Sequence, residues 1–391
     1  MEFSTDISND IVYGTKIKLQ NILFKTTIAI FILSEYCPLL NFIDPLKVKH
    51  IFLIITTLIA ILAVIKNGKK LKFAKEFKSI LFSTIILYTI SITLQAFNGE
   101  FKFYSIEEVY YLLMPLIFVF LLYGYEKPEK IDNYVNIIYI CCIISFITRY
   151  YDIFSIENLM KISFNDSASP FEGDLAQFFF MLVVYYIYKG YKVRTIVCIA
   201  LNILSMKRLN LVYMFVFLII FKFIPKNKKV DNKILFITKL FFILAPFLIY
   251  IMCTDDFASW FLLKFDISFD KFTMSRFSII NTVIDENLIN YGLGTVTDFL
   301  EIRNVPGQTN MHNDILKIYM ECTLLGTIVF TNQYFKICSN NYMSYVIMLF
   351  AFLELLVAHF LGPGSILFWI CAYILIFYFN SEQYSNSYND I

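Results

Sequence analysis

Apolar residues run along this chain in twelve long stretches, near 26–43, 48–65, 79–97, 109–125, 134–148, 175–188, 193–206, 209–224, 234–252, 315–333, 342–360 and 364–379. Within each stretch the apolar side chains fall on all sides and do not alternate with polar ones. A helix needs roughly 20 mostly apolar residues to cross the hydrocarbon core of a bilayer. In lipid the backbone must satisfy its own hydrogen bonds, which leaves helices or closed barrels. Continuous apolar runs without a two-residue period predict helices. The pattern therefore predicts an all-α, polytopic membrane protein with about twelve transmembrane helices.

Composition agrees. Of 391 residues 58% are hydrophobic and only 16% charged, with mean hydropathy +0.65. A soluble domain of this size carries about 25% charged residues. The eight cysteines lie in or beside apolar runs, with no C-x-x-C and no histidine at zinc spacing. They read as small apolar filler, and neither a metal nor another cofactor is expected. The polar N-terminal stretch lacks the basic-then-apolar order of a cleaved signal.

Charge in the connections sets an expected orientation. Lys66, Lys69, Lys70, Lys72, Lys75 and Lys78 share one gap; Lys189, Lys192 and Arg194 share another; Lys222, Lys226, Lys228, Lys229 and Lys233 a third. Alternating spans place all of these on one side, which the positive-inside rule assigns to the cytoplasm together with both termini. Residues 1–391 then read as one membrane domain. The long gap 253–314 becomes an extracytoplasmic loop subdomain, and the tail from Ser381 an irregular segment.

That loop carries the candidate chemistry. After Asp255-Asp256, which read as a helix cap or an acidic metal pair, Phe257, Trp260, Phe261 and Phe265 recur at helical spacing. They predict a short helix either lying in the membrane interface or capping the bundle. Ser275 is the expected cap of a second helix near 276–289. Arg276 falls in its first turn, where a cation gains nothing from the helix dipole but would grip an anion. Gly292 and Gly294 follow, and His312-Asn313-Asp314 immediately precede an apolar run containing Glu321 and Gly326. Arg208, in a tight turn between two spans, and Arg303 are further cations against the charge bias; snorkelling to lipid phosphate is the ordinary role for such residues.

These residues resemble the superfamily of O-antigen ligases and Wzy-type O-antigen polymerases. The likeness rests on Arg208 in its turn, Arg276 opening a loop helix, Gly292-Leu293-Gly294, His312-Asn313-Asp314, and Glu321 to Gly326 against the family's Glu-x-Gly-x-x-Gly. Cys322 stands for a usual glycine, Met206-Lys207-Arg208 replaces a Ser-Gly-Ser-Arg-like turn, and no proline precedes the Gly-x-Gly.

The resemblance implies a fold like that of GT-C glycosyltransferases in the bacterial inner membrane. It implies metal-independent transfer of a glycan from undecaprenyl diphosphate to the hydroxyl of another lipid-linked repeat unit. Arg276 and Arg208 would hold the diphosphate and His312 would serve as base. Asn313 or Asp314 would fix its tautomer. Asn313, Asp314, Gly292, Gly294, Arg303 and Glu321 would bind substrate. Partners would be the lipid-linked oligosaccharide, membrane lipid and a chain-length regulator, with no nucleic acid. An O-antigen ligase, acting on lipid A core, is the alternative. A lipid-linked glycan flippase is the alternative of another class, with Glu35 and Glu354, the latter near His359, as its intramembrane acids.

Overall fold

A computed structural model describes residues 3–40, 45–67, 71–126, 130–161, 169–225, 228–273, 275–286, 288, 291–303, 311–362 and 364–389, the side chains of 3–18, 40, 45–47, 67 and 383–389 excepted. Each of the twelve apolar runs holds a helix, and no strand occurs among the described residues. Among the described residues six helical segments are long and apolar enough to cross a membrane: Val48–Lys66, Ala74–Asn98, Tyr104–Tyr125, Ile131–Ile153, Asn232–Met252 and Ser365–Glu382. The architecture is that of a helical membrane protein.

The helices are α1 (Phe3–Tyr36), α2 (Pro45–Asn67), α3 (Ala74–Asn98), α4 (Tyr104–Tyr125), α5 (Ile131–Tyr150), α6 (Ile156–Met160), α7 (Leu175–Lys189), α8 (Lys192–Ser205), α9 (Arg208–Ile220), α10 (Asn232–Met252), α11 (Asp255–Phe265), α12 (Phe269–Phe272), α13 (Arg276–Asp285), α14 (Thr295–Arg303), α15 (Asp314–Ile337), α16 (Tyr342–Leu355) and α17 (Ser365–Asn389). α17 runs on past Ser381, where an irregular tail was expected: no proline or glycine follows Ser365 to stop it.

The chain divides into two compact units, residues 1–74, 115–227 and 367–391, and residues 75–114 and 228–366. In the first unit α1 packs on α2 and α5, and α7 on α8 and α9. The part of α17 in this unit is buried along nearly its whole apolar length. Its Ile374 carbonyl accepts from Tyr123 Oη (2.6 Å). Inside the unit Thr27 pairs with Thr56 (2.8 Å) and Glu35 with Lys49 (2.8 Å).

In the second unit α10 packs along α15, and α15 on α16. Large apolar side chains on α10, among them Phe236, Ile237, Phe247 and Ile251, are exposed. So are Ile51, Ile54, Ile55, Leu58 and Leu62 on α2 of the first unit. Uninterrupted exposed stripes of this kind have a physical account in lipid, not in water.

α15 is not one continuous helix. Thr323 lies at φ 66°, ψ 178°, which breaks the ladder. The break separates Leu325 N–H from Glu321 C=O, its partner in an unbroken helix. Each has a substitute: Leu325 N–H donates to Thr323 Oγ1 (3.2 Å), and Glu321 C=O accepts from Gly292 N–H (3.1 Å).

Candidate functional site

Most of the residues singled out lie in the second unit; Arg208 lies in the first. Arg276 opens α13, as expected, and is half-buried. Ser275 precedes it but makes no side-chain cap. A capping hydroxyl reaches the first turn from extended backbone, whereas Ser275 is left-handed (φ 59°). Asp270 of α12 takes over, its Oδ1 accepting from Ser278 N–H (3.1 Å). Likewise α11 is capped by Thr254, whose Oγ1 accepts from Phe257 N–H (3.3 Å), and not by Asp255 or Asp256.

α13 is shorter than expected and buries one apolar face. Ile279, Ile280 and Val283 join Val296 and Leu300 of α14, Met311, and Leu316 and Met320 of α15 in one buried cluster. Phe277, next to Arg276, packs against that cluster, and Met311, next to His312, belongs to it. One core thus anchors the two segments that carry the guanidinium and the imidazole. His312 itself is half-buried with left-handed backbone (φ 51°).

Asn313 and Asp314 both bond to the segment after α16. Asn313 caps α15, accepting from Leu316 N–H (2.9 Å), and donates to Leu356 C=O (2.8 Å). Asp314 meets His359 Nδ1 (3.1 Å) and accepts from Phe360 N–H. Both side chains are buried. They clamp the segment after α16 onto the start of α15, which is why α16 ends at Leu355 and not near 360. His359, expected beside Glu354, is therefore Asp314's partner.

The Gly-x-Gly is a packing element. Leu293 N–H donates to Ser91 Oγ (2.8 Å), and its carbonyl accepts from Gln95 Nε2 (3.0 Å). Gly292 and Gly294 both have positive φ, 95° and 82°. A Cβ on Gly292 would stand 2.8 Å from Ser91 O, and one on Gly294 2.7 Å from Ser105 N. The backbone of this loop touches the backbone of α3 and α4, which only glycine allows.

Behind the loop lies a buried charge network. Lys317 Nζ donates to Glu108 Oε1 and to Thr297 Oγ1 (2.8 Å). Glu108 also accepts from Gly294 N–H (3.2 Å) and Thr297 Oγ1 (3.0 Å). Glu321, with no exposed surface, accepts from Val296 N–H (2.8 Å) through Oε1. Its Oε2 is buried without a hydrogen-bond partner among the described residues. Glu321 thus orders the loop from beneath. Arg303 is paired with Glu286 and lies over the Phe299 ring (4.9 Å).

Lys102, outside the spans, bridges Asp298 (2.8 Å) and Glu100 (3.0 Å). Its bond to Asp298, helped by Glu100, holds the ammonium above the usual lysine range.

In the first unit Arg208 opens α9. Its Nε is buried with no hydrogen-bond partner among the described residues, and the neighbouring Lys207 pairs with Asp174. No protein-family model matches the chain, and no curated protein is similar to it.

Glu108, Lys317, Ser91, Gln95 and the Asp314–His359 pairing are functional or supporting elements that pattern reasoning passed over. A signal existed for one of them. Lys317 stands three residues after Asp314 and four before Glu321 inside an apolar run, the spacing of side chains on one helix face. The motif spacing also carries a correction. Counted from Glu321 to Gly326, Glu-x-Gly-x-x-Gly puts its first glycine at Thr323, not at Cys322. Thr323 has the backbone that glycine alone adopts without strain.

Proposed function

We propose that this chain is a bacterial membrane glycosyltransferase of the O-antigen polymerase type, with twelve spans and residues 253–314 outside the cytoplasm. The observation that carries the reading is the conformation of Thr323. Where the family motif has a glycine, this chain keeps a glycine-type backbone despite a threonine (φ 66°, ψ 178°). The carbonyl exposed by that break is met by the first glycine of the Gly-x-Gly (3.1 Å). The two motif segments thus support each other structurally, which chance likeness of isolated residues does not supply.

The donor's isoprenoid stays in the bilayer, so the catalyst must present its site at the membrane surface. The acceptor hydroxyl oxygen attacks the anomeric carbon of the donor glycan. The bond from that carbon to the diphosphate breaks, and its electron pair leaves on the diphosphate. Arg276 meets the growing negative charge with a forked, permanently charged guanidinium. His312 takes the hydroxyl proton, since imidazole titrates near the working pH. Glu321, Glu108 and Lys317 hold the loop between them. The reading stands on the second unit alone, and Arg208 is an additional candidate for the diphosphate.

The test is complementation of a deletion strain, with surface glycan resolved by length on gels. Arg276→Ala, Arg276→Lys and His312→Ala are expected to leave capped single repeats while the protein stays in the membrane. Long polymer from either alanine variant removes that residue from the chemistry. Unattached polymer in the deletion strain points to a ligase, and lipid-linked repeats trapped inside the cell point to a flippase.

A further inference from the structure

We propose that the tip formed by the second half of α11 and by α12 inserts into the interfacial layer of the lipid bilayer. α11 contains no buried residue. Its polar side chains, Asp255, Asp256 and Ser259, belong to the first half, whereas Trp260 to Phe265 is apolar on every side except at Lys264. A helix that is apolar all round is found where water is not.

Five large apolar side chains here are uncovered: Trp260 (52% exposed), Leu262 (47%), Leu263 (88%), Phe265 (54%) and Phe272 (50%). They are held as a rigid wedge. The Phe261 ring lies 4.6 Å from Phe265, 4.9 Å from Phe269 and 5.3 Å from Phe272.

Lipid is the occupant because of what adjoins the tip. α10 ends at Met252 with Phe247, Leu248 and Ile251 exposed on its last turns, and α11 starts at Asp255. The tip therefore begins where a lipid-facing span ends. An 11-residue helix is about 16 Å long, so the wedge cannot travel far from the boundary. Interfacial helices bury their apolar side roughly 5–10 Å into the headgroup and acyl boundary. Exposed Lys264 and Lys271 flank the wedge and reach lipid phosphates by snorkelling.

The tip is also coupled to α13. The Phe269 ring lies 4.5 Å from that of Phe277, the residue after Arg276, and Asp270 caps the same turn. Insertion of the wedge fixes the height of the α13 N-terminus relative to the lipid phosphates. This inference does not rest on the glycosyltransferase reading.

The chain supplies its own reporter. It has two tryptophans, Trp260 and the buried Trp369. The full-length Trp369→Phe protein, in phosphatidylcholine nanodiscs, leaves Trp260 as the single indole. Replacing the lipid by phosphatidylcholine brominated high on the acyl chains is expected to cut Trp260 emission roughly in half, as befits a shallow insertion depth. Acrylamide in the water phase is expected to quench it weakly. Strong acrylamide quenching with no response to brominated lipid overturns the proposal. So does an indole protected from both quenchers, which means that protein, such as a second copy of the chain, covers the wedge. If Trp369→Phe fails to fold, the difference between the native spectrum and that of Trp260→Phe gives the same readout.

Discussion

Lys317 should be among the most costly single positions to change in the second unit, because it is the one base shared by two buried acids in the described network. Its side chain is 2% exposed and that of Glu108 6%. Lys317→Met leaves Glu108 with only Gly294 N–H and Thr297 Oγ1 as donors, and Glu321 with Val296 N–H. Removing one partner of a buried pair costs about 3–5 kcal/mol. Glu108→Leu is expected to cost less. Gly294 N–H loses its acceptor, about 1–3 kcal/mol, but Lys317 keeps Thr297 and has Glu321 one turn away. The double variant buries neither an unpaired lysine nor an unpaired Glu108; it loses the Gly294 bond and the lysine beside Glu321, so it should cost clearly less than the two single changes summed. The two single costs then exceed the double cost by at least about 2 kcal/mol, well beyond the roughly 0.5 kcal/mol within which independent sites add. The assay is equilibrium unfolding of the detergent-solubilised full chain, all four forms in parallel. Additive costs, or a Lys317→Met protein as stable as the native one, would show that the ion pair does not hold the loop and would refute the argument.

Two further outcomes separate packing from chemistry. Gly294→Ala meets both a left-handed backbone (φ 82°) and the α4 backbone 2.7 Å away; it should destabilise by about 2–5 kcal/mol. Gly99→Ala has equally positive φ (69°) with nothing within 4 Å; it should cost only about 1 kcal/mol, and equal losses of thermal midpoint would discount the contact. Arg303→Ala removes an exposed pair with Glu286, both side chains 44% exposed. Stability should change by less than about 1 kcal/mol and polymer length not at all; shortened polymer would return Arg303 to the substrate.

Composition and the twelve apolar runs were enough to establish a helical membrane protein, because the need to bury backbone polar groups in lipid admits so few solutions. The start of α13, in the gap between those runs, was legible as well, although Ser275 does not cap it. What the polar residues do was decided elsewhere. Gly292 and Gly294, legible as flexible points, are glycines because α3 and α4, some 200 positions earlier, leave no space for a Cβ. Asn313 and Asp314 bond to the segment after α16, more than 40 positions along the chain. Glu321 faces Val296, and Lys317 faces Glu108 across 209 positions. A buried charge or hydrogen-bonding group must find a partner or destabilise the fold, yet nothing in its own neighbourhood of the chain says which partner that is. Local sequence determined the helices; only tertiary packing decided which sides of them are buried and which partners the polar residues between them find.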